Sequence, residues 1–191
     1  MLLSVIYEGG FFMKIVLMRH AETTFNNSGR FCGRTDCDIT ENGRITTSKL
    51  ASIEPFLSGF TAMYVSPLKR TVQTLIAIYP SCNYIVDERL TEISIGLWEG
   101  LEKASVNQSD RKAFLKGLYT PPNAEENHED VVNRIMSLFK ELDNSYDDSD
   151  IILLVTHNGV IRTVKQLLKM DELKTKNSDF IIIDSKDVID L

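Results

Sequence analysis

Continuous apolar runs alternate along the chain with stretches whose apolar residues recur every three or four positions. Lys14–Met18 (KIVLM) and Ile151–Val155 (IILLV) are apolar without alternation, the pattern of strands buried on both faces of a parallel sheet. Ala62–Val65, Asn83–Val86 and Phe180–Ile183 are shorter strand candidates. Helical spacing falls between them. Ile45, Leu50, Ile53 and Leu57 share a face within residues 41–57, and Val72, Leu75, Ile76 and Tyr79 do so within residues 66–79, where Pro67 suits a helix start. Val131, Ile135, Leu138 and Phe139 mark a third helix, and Ile161, Val164, Leu167 and Leu168 a fourth. This alternation predicts an α/β fold in three layers, a mostly parallel central sheet with helices on both faces. Helix-loop segments between Trp98 and Glu125 form the least regular region, which holds Pro121-Pro122 and is expected to stand over the sheet as a lid or wall.

Residues 13–191 read as one domain, a length that buries a sizeable core. Residues 1–12 (MLLSVIYEGGFF) lack the basic n-region and long apolar segment of a secretory signal. Glu8-Gly9-Gly10 back-translates to purine-rich codons of the kind a bacterial ribosome-binding site contains, a few codons before Met13. Translation is therefore expected to start at Met13, with residues 1–12 as extra upstream sequence.

Composition narrows the partners. A net charge of -6 disfavours nucleic acid, whose phosphate backbone calls for clustered Lys and Arg. No apolar stretch approaches the length that spans a bilayer, so no membrane partner is expected. The 3 cysteines, Cys32, Cys37 and Cys82, have no framework spacing and read as reduced thiols of a cytoplasmic protein. Cys32 and Cys37 lack the second pair that a metal site would need. Oligomeric state is not legible, and a homodimer stays open.

Candidate chemistry gathers at the strand ends. Ligands of open α/β sheets bind beyond the carboxyl ends of the strands. Lys14–Met18 runs into Arg19-His20, and Ile151–Val155 runs into Thr156-His157. Two of the 3 histidines thus sit at the functional edge, each before a segment able to begin a helix whose N-terminus favours an anion. Arg70, one turn into the helix after Ala62–Val65, projects to the same edge. A single histidine at a strand end is ordinarily structural. Two histidines beside Arg19 and Arg70 make an anion pocket, and the arginines would repel a metal ion. His128, in the charged run EENHED, reads as solvated surface.

Five ordered blocks then resemble the histidine phosphatase superfamily, the phosphoglycerate-mutase-like enzymes. LMRHAETTFN resembles its RHGET signature, and RFCGRTDCDITENGR its F-x-G-R-x-D-x-x-L-T-x-x-G segment. VSPLKRTVQT, LTEISIGLWEG and VTHNGVIR are similar to its S-P-L-x-R-A-x-Q-T, L-x-E-x-x-x-G-x-W-E-G and V-S-H-G-G-x-I-R blocks. The resemblance implies His20 as a nucleophile that becomes phosphohistidine, Arg19, Arg70 and His157 around the phosphoryl oxygens, and Glu92 as the proton donor. Asn26, Gly33 and Asn158 are implied as substrate-binding positions. No metal and no cofactor are implied. Glu88 and Glu99 compete with Glu92 by position alone, and the L-x-E pattern selects Glu92. Ala21 stands where the family has glycine, a change the loop accepts if φ there is negative. The largest departure is Ala124–Asn127 (AEEN), where the family has G-G-E-S.

The expected activity is a metal-independent phosphomonoesterase acting on a small phosphorylated metabolite, as in compact bacterial members such as α-ribazole phosphatases. About thirty residues between Trp98 and the following helix leave little room for the inserted segments of the mutases. Lys103 resembles a lysine that mutases use, which keeps a cofactor-dependent phosphoglycerate mutase as the alternative. A non-catalytic binding member is the third reading, opposed by the joint presence of His20, Arg19, Arg70, Glu92 and His157.

Overall fold

The computed structural model describes residues 12–50 and 59–189. Five strands, β1 (Lys14–Arg19), β2 (Ala62–Val65), β3 (Ile85–Val86), β4 (Ile151–Thr156) and β5 (Phe180–Asp184), form one sheet in the order β3-β2-β4-β1-β5. β1 to β4 run parallel, and β5 pairs antiparallel with β1. The α-helices among the described residues are α1 (Thr24–Asn27), α2 (Glu41–Ser48), α3 (Lys69–Ile78), α4 (Gln108–Leu115), α5 (His128–Ser145), α6 (Asn158–Leu167) and α7 (Ser185–Ile189). None is long and apolar enough to cross a membrane.

The unbroken apolar runs have the expected cause. Ile15, Leu17, Ile152 and Leu154 join the core under α5 and α6, whereas Val16, Met18, Leu153 and Val155 join a second core with Leu75 and Ile78 of α3. Successive residues of one strand point to opposite faces, so both faces must be apolar. This is the three-layer sandwich. α5 drives Val131, Ile135, Leu138, Phe139 and Leu142 into the first core, each worth roughly 1.5–3 kcal/mol of apolar burial. Asn127 caps that helix, accepting from the backbone N–H of Glu129 and Asp130 at 2.8 and 3.1 Å.

Three expectations change. α2 buries Gly43 and Thr47, while Ile45 is exposed, because the helix packs its small residues against the backbone at Glu22. Leu50 still packs on the second core, and Ile53 and Leu57 lie outside the described residues, as does most of the upstream segment 1–12. The Asn83–Val86 strand shrinks to the exposed pair Ile85–Val86 at the sheet edge. His128 is half-buried rather than solvated. Its ring lies over Gly117, whose φ of +74° turns the chain back toward α5.

The helix-loop region after Trp98 contains one α-helix, α4, whose weak periodicity leaves its bounds unmarked in the sequence. Trp98 anchors it, with ring centroids 5.4 Å from Phe31, 5.5 Å from Phe114 and 5.6 Å from Tyr119.

Candidate active site

Strand register sets the first contact. Arg19 of β1 pairs with Thr156 of β4, so His20 and His157 leave neighbouring strands at one level. Their ring centroids are 5.3 Å apart. His20 N–H donates to the Thr156 carbonyl at 3.0 Å, and the Thr156 hydroxyl donates to the Leu90 carbonyl at 2.7 Å.

A cavity of about 550 Å³ opens over this edge, with Arg19, His20, Arg70 and Glu92 in its wall. Asn26, Gly33 and Asn158 also line it. His157 does not. It is fully buried behind His20, with Nε2 2.8 Å from the Ser66 hydroxyl and Nδ1 unpartnered.

His20 Nδ1 lies 2.7 Å from the Ala21 carbonyl, an acceptor only, so Nδ1 carries the proton and Nε2 keeps its lone pair. Ala21 itself is buried, donates its N–H to Thr74 Oγ1 at 2.8 Å, and is not among the positive-φ residues. Alanine therefore replaces glycine there without strain.

Both guanidiniums are held by carbonyls rather than carboxylates. Arg19 donates to Thr175 O at 2.6 Å, and Arg70 donates to Gly33 O at 2.7 Å and Thr35 O at 3.0 Å. Gly33 serves Arg70 in this way from a φ of +56°, where an added Cβ would meet the Glu99 carboxylate. Glu99 is occupied with the N–H groups of Arg34 and Thr35 at 2.8 and 2.9 Å. Glu92 takes a different position, accepting from its neighbour Ile93 N–H at 2.9 Å and from Gly159 N–H at 3.1 Å in the first turn of α6. Of Glu88, Glu92 and Glu99, Glu92 alone lines the cavity.

The Ala124–Asn127 departure stays out of the cavity wall. Glu126 instead accepts from Ser94 N–H at 3.1 Å and pairs with Arg34 and Arg134, both at 3.0 Å. Arg34 Nε in turn donates to the Glu92 carbonyl at 3.1 Å. Glu126, which keeps the glutamate of the family's G-G-E-S, therefore braces the loop that carries Glu92. Cys32 and Cys37 are free thiols with their sulfurs 3.1 Å apart. Among the described residues no group of three or more His, Cys, Asp or Glu is placed to hold a metal.

Sequence reasoning missed Thr175 and Asn177. Asn177 Nδ2 lies within 3.0–3.2 Å of Asn26 Oδ1 and the carbonyls of His20 and Ala21. These residues precede β5, whose antiparallel direction brings its N-terminal end to the functional edge. The signal was that reversal, which a short apolar run does not disclose.

Burial, then the charges of Arg70 and Arg19, holds His20 well below the ordinary imidazole range. Burial and Arg70 do the same to His157. Both are neutral in the folded protein at neutral pH. Below about pH 6.5 the unfolded chain takes up protons that the folded state refuses, so each histidine removes about 1.4 kcal/mol of stability per pH unit. Urea unfolding at pH 7.5 and 5.5 checks this: stability is expected to fall with acid, and the slope to shrink by about one proton in His20→Ala. An unchanged slope would contradict neutral burial.

Such a site can take a tetrahedral dianion between two guanidiniums, with a bare imidazole nitrogen on one side and a carboxylate on another. The comparisons agree in kind. Residues 15–180 match the model of the histidine phosphatase superfamily (branch 1). A putative phosphoserine phosphatase 2 of Hydrogenobacter thermophilus is 30% identical over 161 residues, 81% of this chain and 78% of that protein. A 2,3-bisphosphoglycerate-dependent phosphoglycerate mutase of Elusimicrobium minutum is 40% identical over 99 residues, but these are 48% of this chain and 39% of the mutase. A mycobacterial glucosyl-3-phosphoglycerate phosphatase, solved with VO3, superposes with a TM-score of 0.78 at 25% identity, covering 88% of this chain and 91% of that one.

Proposed function

The chain belongs to the histidine phosphatase superfamily, and we propose that it is a metal-independent phosphomonoesterase that hydrolyses a small phosphorylated metabolite through a phosphohistidine on His20. The observation that carries this reading is the state of His20, a neutral imidazole with Nδ1–H tied to Ala21 O and Nε2 free at the cavity wall.

The Nε2 lone pair attacks phosphorus in line, the P–N bond forms, and the ester P–O bond breaks. The Ala21 carbonyl steadies the positive charge that the ring acquires. Arg19 and Arg70 neutralise the equatorial oxygens, where phosphoryl transfer gains most of its catalysis. Asn26 Oδ1 is engaged by Thr23 and Asn177, which leaves its Nδ2 amide to donate. If Ser66 O–H donates to His157 Nε2, the proton sits on Nδ1, the nitrogen without a protein partner. Glu92 gives a proton to the leaving oxygen, then takes one from the water that attacks the phosphohistidine. The P–N bond breaks, its electrons return to Nε2, and phosphate departs.

The reading is tested with a panel of phosphomonoesters under chelator. Phosphate release is expected to continue, and vanadate to inhibit it. Glu92→Gln is expected to lower kcat/KM about 10²–10⁴-fold for an alkyl phosphate and much less for p-nitrophenyl phosphate, whose leaving group needs no proton. Equal losses on both would contradict Glu92 as the acid. A mutase reading is supported by Lys103 in the cavity wall and by the local match to the Elusimicrobium mutase. Rapid interconversion of 2- and 3-phosphoglycerate with little net hydrolysis would select it.

A further inference from the structure

Cys32 and Cys37 take no part in the phosphoryl chemistry, yet the fold brings them into contact. Their sulfurs lie 3.1 Å apart, about 1 Å more than the length of a disulfide bond. Cys37 is buried, whereas Cys32 is half-buried and forms part of the cavity wall. A small solute that enters the cavity therefore meets one sulfur of a touching pair. The third cysteine, Cys82, packs on the second core and lines no part of this cavity.

The residues between the two sulfurs hold Arg70. Its acceptors are the carbonyls of Gly33 and Thr35, at 2.7 and 3.0 Å. Thr35 O takes a second donor, the Cys32 thiol at 3.2 Å, and Thr35 N–H closes a turn on Cys32 O at 3.2 Å. Glu99 pins the same turn through the N–H groups of Arg34 and Thr35. The cysteines thus bracket the turn whose carbonyls aim a catalytic guanidinium. Charge adds reactivity to this geometry. The contact with Cys32, then the charge of Arg70, draws the Cys37 thiol down to about 6. That same contact and burial push Cys32 up. In the singly ionised pair Cys37 therefore carries the charge and Cys32 the proton, so a base touches the sulfur that faces the cavity.

We propose that Cys32 and Cys37 are a reversible redox site: a peroxide entering the cavity oxidises them to a disulfide, which pulls Arg70 away from the phosphoryl position. The effect on turnover rests on the phosphatase reading, whereas formation of the bond does not. Cys32 Sγ attacks a peroxide oxygen while its proton passes to Cys37. The S–O bond forms, the O–O bond breaks, and hydroxide leaves. Cys37 gives its proton to that hydroxide, forming water, and its sulfur attacks Cys32 Sγ. The S–S bond forms and the S–O bond breaks, releasing a second hydroxide. The sulfurs lose two electrons and the peroxide gains them. The bond removes the thiol donor from Thr35 O and draws the ends of the turn together. A misplacement of about 1 Å at a catalytic group can cost about 10²-fold in rate.

The test uses Cys82→Ser, which leaves only this pair of thiols. The protein is treated with hydrogen peroxide, freed of it, and divided between buffer and dithiothreitol. Peptide mapping by mass spectrometry is expected to show a Cys32–Cys37 linkage lighter by two hydrogens. With it, kcat/KM is expected to fall about 10²-fold and to recover in the dithiol. Cys32→Ser and Cys37→Ser, each compared with its own reduced form, are expected to form no linkage and to keep their activity through the same treatment. If the linkage forms and weakens binding of inorganic phosphate, but neither form hydrolyses any ester, the phosphatase reading fails and the redox site stands. If no linkage forms, or if it forms with kcat/KM and phosphate affinity unchanged, the proposal is overturned.

Discussion

Replacing His20 by alanine is expected to lower kcat/KM for every phosphomonoester by roughly 10⁴-fold or more, while the protein stays folded. The two halves of that expectation have separate causes. The activity loss follows because no other group is poised to replace it: His157 is sealed behind His20, and the Cys32 thiol in the cavity wall is kept protonated by its contact with Cys37 and by burial. What remains is binding and charge neutralisation by Arg19 and Arg70, with nothing to accept the phosphoryl group. The fold survives because His20 contributes little to either core. It lies beyond the last paired residue of β1, and its ring makes one hydrogen bond, to its own neighbour Ala21. Steady-state kinetics with a thermal melt above pH 7 check both halves. Undiminished hydrolysis in a folded variant would refute the mechanism.

Arg70 is expected to behave differently, because it supports both the chemistry and the loop. Arg70→Met should cost about 10³-fold or more in kcat/KM, the range for removing an arginine from a phosphoryl-transfer site. It should also lower the melting temperature. The side chain is fully buried, and its two terminal nitrogens satisfy the Gly33 and Thr35 carbonyls. Losing them leaves two acceptors to find water or remain unpaired, at about 1–3 kcal/mol each. Removing an unpaired buried charge offsets part of that. Arg70→Lys separates the contributions. A single ammonium cannot span both carbonyls and a phosphoryl oxygen, so activity should stay low even where stability partly recovers. Kinetics, vanadate affinity and thermal melts on both variants provide the check. Retained vanadate affinity in Arg70→Met would contradict its contact with the phosphoryl oxygens.

What the sequence discloses is the part that local pattern governs. β1 and β4 are legible because strands buried on both faces must be apolar throughout, and His20 and His157 are legible as their first residues beyond. Arg70 reaches the edge from the helix start, as the second residue of α3 rather than one turn into it. The illegible parts depend on long-range geometry. Thr175 and Asn177 reach the site because β5 is antiparallel, and the run FIII reads the same in either direction. The bounds of α4 inside the helix-loop region are illegible because the helix buries no residue fully, so its composition is mixed. Arg162 lies within a quoted motif, but its contact with Phe114 depends on where α4 packs, which no local pattern states. Glu126 is opaque for the same kind of reason, since its partner Arg34 comes from a distant segment.

The most direct test is to mix the protein with a phosphomonoester, quench rapidly under denaturing conditions at alkaline pH, and map the modified peptide by mass spectrometry. The predicted result is one phosphoryl group on His20, stable to alkali, lost in acid, and accumulating further in Glu92→Gln under single-turnover conditions with p-nitrophenyl phosphate. Phosphate release with no phosphoryl group on His20, or with the group on another residue, would contradict the account.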